Sequence, residues 1–111
     1  MNPEPFMLYT GRGFHQSRGH IIEEYKLAIM LDQFDWRTNW SIVDLPTGCR
    51  IATGYATLQD AMRGLNLARD MRDRAFTDDE AQSLRKACRL AYQQELEGMS
   101  ELVSVIFPDT T

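Results

Sequence analysis

Trp40-Ser41-Ile42-Val43-Asp44-Leu45 and Cys49-Arg50-Ile51-Ala52-Thr53-Gly54-Tyr55 flank Pro46-Thr47-Gly48, and this stretch decides the fold. Two runs rich in β-branched and aromatic residues are joined by a proline that presets φ for a turn and a glycine free to take positive φ. The segment therefore predicts a β-hairpin. On its second strand Cys49, Ile51, Thr53 and Tyr55 share one face, and Arg50, Ala52, Gly54 and Ala56 the other. The small residues at 52, 54 and 56 leave room for a helix to pack closely.

Such a helix follows. Thr57 with Asp60 has the form of an N-cap with an acidic residue at the third helical position. Leu58, Ala61, Met62, Leu65, Ala68 and Met71 then recur at three and four residues, one apolar stripe. Thr77-Asp78-Asp79-Glu80 is a full capping box and starts a second helix, with stripe Ala81, Leu84, Cys88, Ala91, Tyr92 and Leu96 and a stop at Gly98. Leu102-Val103-Ser104-Val105-Ile106-Phe107, rich in β-branched and aromatic residues, reads as a returning strand.

Upstream of the hairpin, Phe6-Met7-Leu8-Tyr9 reads as an edge strand because Pro3 and Pro5 precede rather than interrupt it. Residues 10 to 20 hold three of the seven glycines and no aliphatic side chain, which predicts a mobile loop. From Tyr25 the pattern alternates, Tyr25, Leu27, Ile29 and Leu31 against Lys26, Ala28, Met30 and Asp32. That is a strand signal, with a helix over 20–34 as the open alternative. Together these elements predict one α+β domain over 1–111: a mostly antiparallel sheet of three to five strands with two helices packed on one face.

With 111 residues, 43% of them apolar, the chain can bury a core without staples but is too short for separate cofactor and substrate domains. No apolar run approaches the roughly 18 residues that cross a bilayer, and Met1-Asn2-Pro3-Glu4-Pro5 lacks the form of a signal peptide, so a cytoplasmic protein with no membrane association is expected. Cys49 and Cys88 both fall on predicted apolar faces and read as buried structural thiols. The net charge of −4 opposes wrapping of duplex nucleic acid. Acidity concentrates at the C-terminal end, where Asp78, Asp79, Glu80, Glu95, Glu97 and Glu101 form an acidic face.

Three groups of side chains carry candidate chemistry. In the 11–20 segment Arg12, His15, Arg18 and His20 stand among glycines, whose backbone N–H groups can approach an anion. The Gly-x-Gly there lacks the third glycine of a dinucleotide fingerprint and the Gly-Lys-Ser/Thr of a P-loop. On the helix from Thr57, Arg63, Arg69 and Arg72 offer contacts to nucleic acid, with Asp60, Asp70 and Asp73 interleaved. Arg72 lies one residue beyond the stripe, where it can also snorkel. Between Phe34 and Trp40, Trp36, Arg37 and Trp40 are types enriched at protein–protein hot spots. The structural reading of the same stretch starts the hairpin at Trp40 and lays Trp36 over the sheet edge. No Cys or His spacing fits a metal site, and no cofactor is implied.

Residues 40–75, a hairpin followed by a basic helix, resemble the β-sheet DNA-reading modules at the front of phage integrases. Tyr9-Thr10-Gly11 resembles the nucleotide-gripping strand of ADP-ribosyltransferases. In size, acidity and arginine content the whole chain resembles phage-encoded anti-defence inhibitors of the anti-CRISPR type, a likeness that carries no motif. The expected function is that of a non-enzymatic inhibitor or adaptor docking on a larger nucleic-acid-handling protein or nucleoprotein complex through Trp36, Arg37, Trp40, Asp78, Asp79 and Glu80. The alternatives are a direct DNA- or RNA-binding module using the hairpin and the helix over 57–75, and a small phosphate- or ADP-ribosyl-transferring enzyme using the 11–20 loop. The sequence leaves the oligomeric state open.

Overall fold

Five strands lie in chain order across one antiparallel sheet: β1 (Glu4–Tyr9), β2 (Phe14–Ile22), β3 (Leu27–Phe34), β4 (Arg37–Asp44) and β5 (Arg50–Tyr55). Four helices follow, α1 (Leu58–Arg63), α2 (Leu65–Ala75), α3 (Asp79–Glu95) and α4 (Ser100–Ile106), which makes the chain an α+β fold. The computed structural model describes residues 2–34, 37–95 and 100–108, with side chains described for 2–32, 39–94 and 102–108.

The hairpin forms as its sequence predicts. Asp44 N–H donates to the Cys49 carbonyl (2.8 Å) and Gly48 N–H to the Asp44 carbonyl (2.7 Å), with Gly48 at φ +75°. Register shifts beside Ile42 interrupt the pairing with β5, so strict alternation on the second strand fails: Ile51, Ala52 and Tyr55 all pack on the same cluster.

Residues 10–20 are not one loop. Thr10 N–H closes a turn onto the Gly13 carbonyl (3.1 Å), with Gly11 and Gly13 at positive φ, and β2 starts at Phe14. Its first half pairs with β1, from Tyr9↔Phe14 to Glu4↔Gly19, and its last residues pair with β3. His15, Gln16 and Arg18 face solvent, so the middle of this strand is held by its ladder, while Phe14, Ile21 and Ile22 at its ends pack on the core clusters. Gly19 allows the change of partner, since a Cβ there would stand 2.6 Å from the Ile29 carbonyl oxygen. At the far end Tyr9 N–H donates to the Gly48 carbonyl (2.8 Å), bringing the first strand back onto the turn of the last hairpin.

β3 resolves the ambiguity over 20–34 in favour of a strand, and Leu27, Ala28, Ile29 and Met30 are all buried. Successive strand residues point to opposite faces, so both faces must be covered. Leu27 and Ile29 pack with Ile42, Ala61, Leu65 and Ala68, under α1 and α2. Ala28 and Met30 pack with Phe6, Val43, Cys88, Tyr92, Leu102, Ile106 and Phe107, under α3 and α4. The expected pair of helices on one face is thus joined by a second pair on the other face.

The helix from Thr57 is broken at Gly64, where a Cβ would stand 2.8 Å from Tyr55 Cζ. Its cap is as predicted, Thr57 Oγ1 accepting from Asp60 N–H at 3.0 Å. Its stripe is narrower: Ala61, Leu65 and Ala68 are buried, while Met62 and Met71 are exposed. α3 starts one residue later than predicted, because Asp78 Oδ1 accepts from Ala81 N–H (2.9 Å) and takes the capping role expected of Thr77. Ala81, Cys88 and Tyr92 of the predicted stripe are buried, whereas Leu96 and Gly98 lie outside the described residues. The C-terminal segment is helix α4, not a strand. Leu102 and Ile106 share one helical face, and just beyond the helix the Phe107 ring meets Tyr92 edge-on at 6.1 Å, so packing overrides β-propensity.

Candidate functional site

A cleft of about 460 Å³ opens where the β4–β5 turn meets the end of α2 and the start of α3. It is built from Asp44 outward. Asp44 is 1% exposed, and its Oδ2 accepts from Thr47 N–H (3.1 Å) and Thr47 Oγ1 (2.6 Å), which ties the turn to the end of β4. Arg72 reaches the same carboxylate from α2. It stands one and two turns beyond Ala68 and Leu65, on the inward face, where its Nη1 donates to the Tyr25 carbonyl and to Asp44 Oδ1 (3.4 Å), and its Nε to Asp73 (3.1 Å). Burial pushes the Asp44 carboxyl above its ordinary value, outweighing the hydrogen bonds from Thr47 and the charge of Arg72.

Lys26 forms the opposite lip. It follows the 3-10 turn Glu23–Tyr25 at φ +55°, donates its N–H to the Glu23 carbonyl (3.1 Å) and accepts from Leu45 N–H (3.0 Å). Pro46, Phe76, Ala81, Gln82 and Arg85 complete the lining. The Arg85 guanidinium lies 5.8 Å from the Phe107 ring centre.

A second polar network crosses the sheet. Arg50 makes two hydrogen bonds to Asp32, Nε to Oδ2 (2.9 Å) and Nη2 to Oδ1 (2.8 Å), and Ser41 Oγ donates to Asp32 Oδ2. Burial would raise the Asp32 carboxyl, but the hydrogen bonds from Arg50 and Ser41 hold it below its ordinary value. Both thiols are raised by burial, and Cys88 Sγ donates to the Leu45 carbonyl (3.5 Å). That is the environment of structural cysteines.

Among the sequence-derived candidates, Arg12, His15 and Arg18 are exposed, and Arg18 donates to the Pro3 carbonyl (3.2 Å). His20 is half-buried at the other end of β2, its ring 6.1 Å from that of Trp40, so the two histidines are not brought together. Trp40 packs against the α1–α2 cluster, as the structural reading of that residue requires. Trp36 lies outside the described residues. Arg37 opens β4, three residues earlier than expected, and its side chain is outside the described set. Arg63 pairs with Asp60 (3.8 Å), and Arg69 pairs with Asp70 (3.6 Å) and lies 4.9 Å from the Tyr25 ring centre. Arg72, 15% exposed, is a bridge inside the fold rather than an outward contact. Asp78, Asp79 and Glu80 are exposed.

Sequence reasoning missed Lys26, Asp44, Thr47, Phe76, Gln82 and Arg85 as a set. One signal was present: an aspartate ending a strand three residues before a threonine and four before a glycine is the pattern of a side-chain-closed turn. Among the described residues no group of His, Cys, Asp and Glu could hold a metal ion, and no helix is long and apolar enough to cross a membrane. Comparison with family models, with curated proteins and with solved structures finds no match to the chain.

Proposed function

We propose that the protein is a non-enzymatic interaction protein that docks on a larger, nucleic-acid-handling protein through the outer face of α2 and the acidic start of α3. One observation carries this reading. Of the five large apolar side chains exposed among the described residues, three lie within one short stretch: Met62 (41%), Leu67 (64%) and Met71 (46%). Leu67 and Met71 are one helical turn apart and form an outward stripe that the fold itself leaves uncovered.

The charges around this stripe favour a basic partner. Asp70 lies between Leu67 and Met71 on α2 and pairs with Arg69, Arg72 is turned inward and paired, and the exposed Asp78, Asp79 and Glu80 come just beyond. A surface that ordinarily receives phosphates offers the complementary field, and carboxylates can occupy it instead. Arg63 and Arg69, two of the arginines that would serve direct nucleic-acid binding, stand beside Asp60 and Asp70.

Size-exclusion chromatography with a purified nucleoprotein candidate, in about 0.15 M salt, tests the reading. The complex should co-elute, and Leu67→Lys with Met71→Lys should weaken it at least about tenfold while the circular dichroism spectrum is kept. Free duplex DNA should compete for the partner. Absence of a complex with such candidates, or a complex indifferent to both substitutions, overturns the proposal.

A further inference from the structure

We infer that Met71 of α2, and with it Met62 of α1, is a modification site: hydrogen peroxide converts the Met71 thioether to the sulfoxide, and this closes the docking stripe. The inference rests on the docking reading above and adds its regulation.

Burial sorts the methionines whose side chains are described. Met7 (1% exposed) and Met30 (7%) lie in the core under α3 and α4, where an oxidant in water does not reach the sulfur. Met62 (41%) and Met71 (46%) stand open on α1 and α2. The other exposed large apolar side chains, Leu31, Leu67 and Leu90, have no atom that a peroxide attacks. Among these residues thioether oxidation is therefore confined to the stretch that carries the docking stripe.

The step is a transfer of one oxygen atom. A lone pair on Met71 Sδ attacks one peroxide oxygen, the O–O bond breaks and an S–O bond forms. The departing hydroxide takes the proton that the transferred oxygen gives up and leaves as water. Sulfur loses two electrons and the peroxide gains them. Met71 is one helical turn from Leu67, so a strong dipole enters a patch whose partner surface must be apolar, and an acceptor left there without a donor opposes docking. The inward side of α2 is built by Leu65, Ala68 and Arg72, so the helix keeps its seat while its outer face changes character. Methionine sulfoxide reductases, one for each sulfoxide epimer, can restore a thioether at so open a position.

Peptide mass spectrometry of the full chain after hydrogen peroxide reads the site with no partner present. Met62 and Met71 should gain one oxygen at least about tenfold faster than Met7 and Met30, with the circular dichroism spectrum kept. Toward the nucleoprotein candidate, oxidised protein should bind at least about tenfold more weakly than untreated protein, and both reductases with dithiothreitol should restore the affinity. A double variant, Met62→Leu with Met71→Leu, should show the same affinity before and after peroxide, which separates the thioethers from Cys49 and Cys88. Equal oxidation of buried and exposed methionines, an affinity unchanged once Met71 is fully oxidised, or a peroxide effect that persists in the double variant overturns the switch. No complex from untreated protein is a distinct result, which overturns the docking reading itself and the switch with it.

Discussion

Asp32 and Asp44 sit on neighbouring strands, both buried, and their surroundings push them in opposite directions. Asp32 is held below its ordinary value, so it adds stability that is present above the unfolded value of about 3.9 and is lost as pH falls through the lower, folded one. Asp44 is held above its ordinary value, so its ionisation opposes folding, and stability falls as pH rises through its folded value. Asp32→Asn removes the acceptor of a two-pronged arginine contact and should cost about 2 kcal/mol at neutral pH, less than a fully buried pair because Arg50 is 28% exposed. Asp44→Asn keeps an oxygen for Thr47 and should cost under about 1 kcal/mol. Urea unfolding between about pH 3 and pH 7 reads both, and a larger cost at Asp44 would contradict the assignment. Neither carboxylate was singled out in the sequence, because Arg50 lies on a strand across the sheet and Arg72 on a later helix, and no local spacing announces either meeting.

Helix starts were legible where a short side chain closes the first turn, and less so where two candidates compete. Asp78, not Thr77, accepts from the third helical N–H of α3. Asp78→Ala should therefore cost about 1 kcal/mol and Thr77→Ala only a few tenths, in thermal unfolding at neutral pH. β2 was illegible for the opposite reason: a strand whose middle side chains, His15, Gln16 and Arg18, face water leaves no apolar period to detect. Its constraint lies in Gly19. Gly19→Ala drives a methyl to 2.6 Å from the Ile29 carbonyl oxygen, a backbone atom that cannot swing aside, so this substitution should destabilise by more than about 2 kcal/mol or prevent folding. A soluble, equally stable Gly19→Ala protein would argue against the close approach of β2 to β3. α4 was misread because β-branched residues are also tolerated in a helix whose buried face is well packed.

At the scale of the whole molecule, the class of the fold was legible and its layering was not. Alternation along β3 gave the strand, but Ala28 and Met30, read as the lesser face, are as buried as Leu27 and Ile29. An apolar residue at every position from 27 to 30 is the mark of a strand covered on both sides, and that mark was present in the sequence. Covering both faces uses up the inward stripes of all four helices and leaves Leu67, Met71 and Leu90 outside. The cleft was hidden because its lining comes from the turn after β2, the β4–β5 turn, α2 and α3, segments joined only by the tertiary fold.

The amide of Tyr9 bonded to the carbonyl of Gly48 ties the earliest strand to a turn made much later in the chain. During synthesis, residues 4–9 can pair with β2 soon after they emerge, but their outer end has no seat until the hairpin has left the ribosome. The first strand is thus fully seated only after the hairpin is made, although it is paired earlier. Long-range closure of this kind slows folding, and for that interval Phe6, Met7 and Leu8 remain open to chaperones.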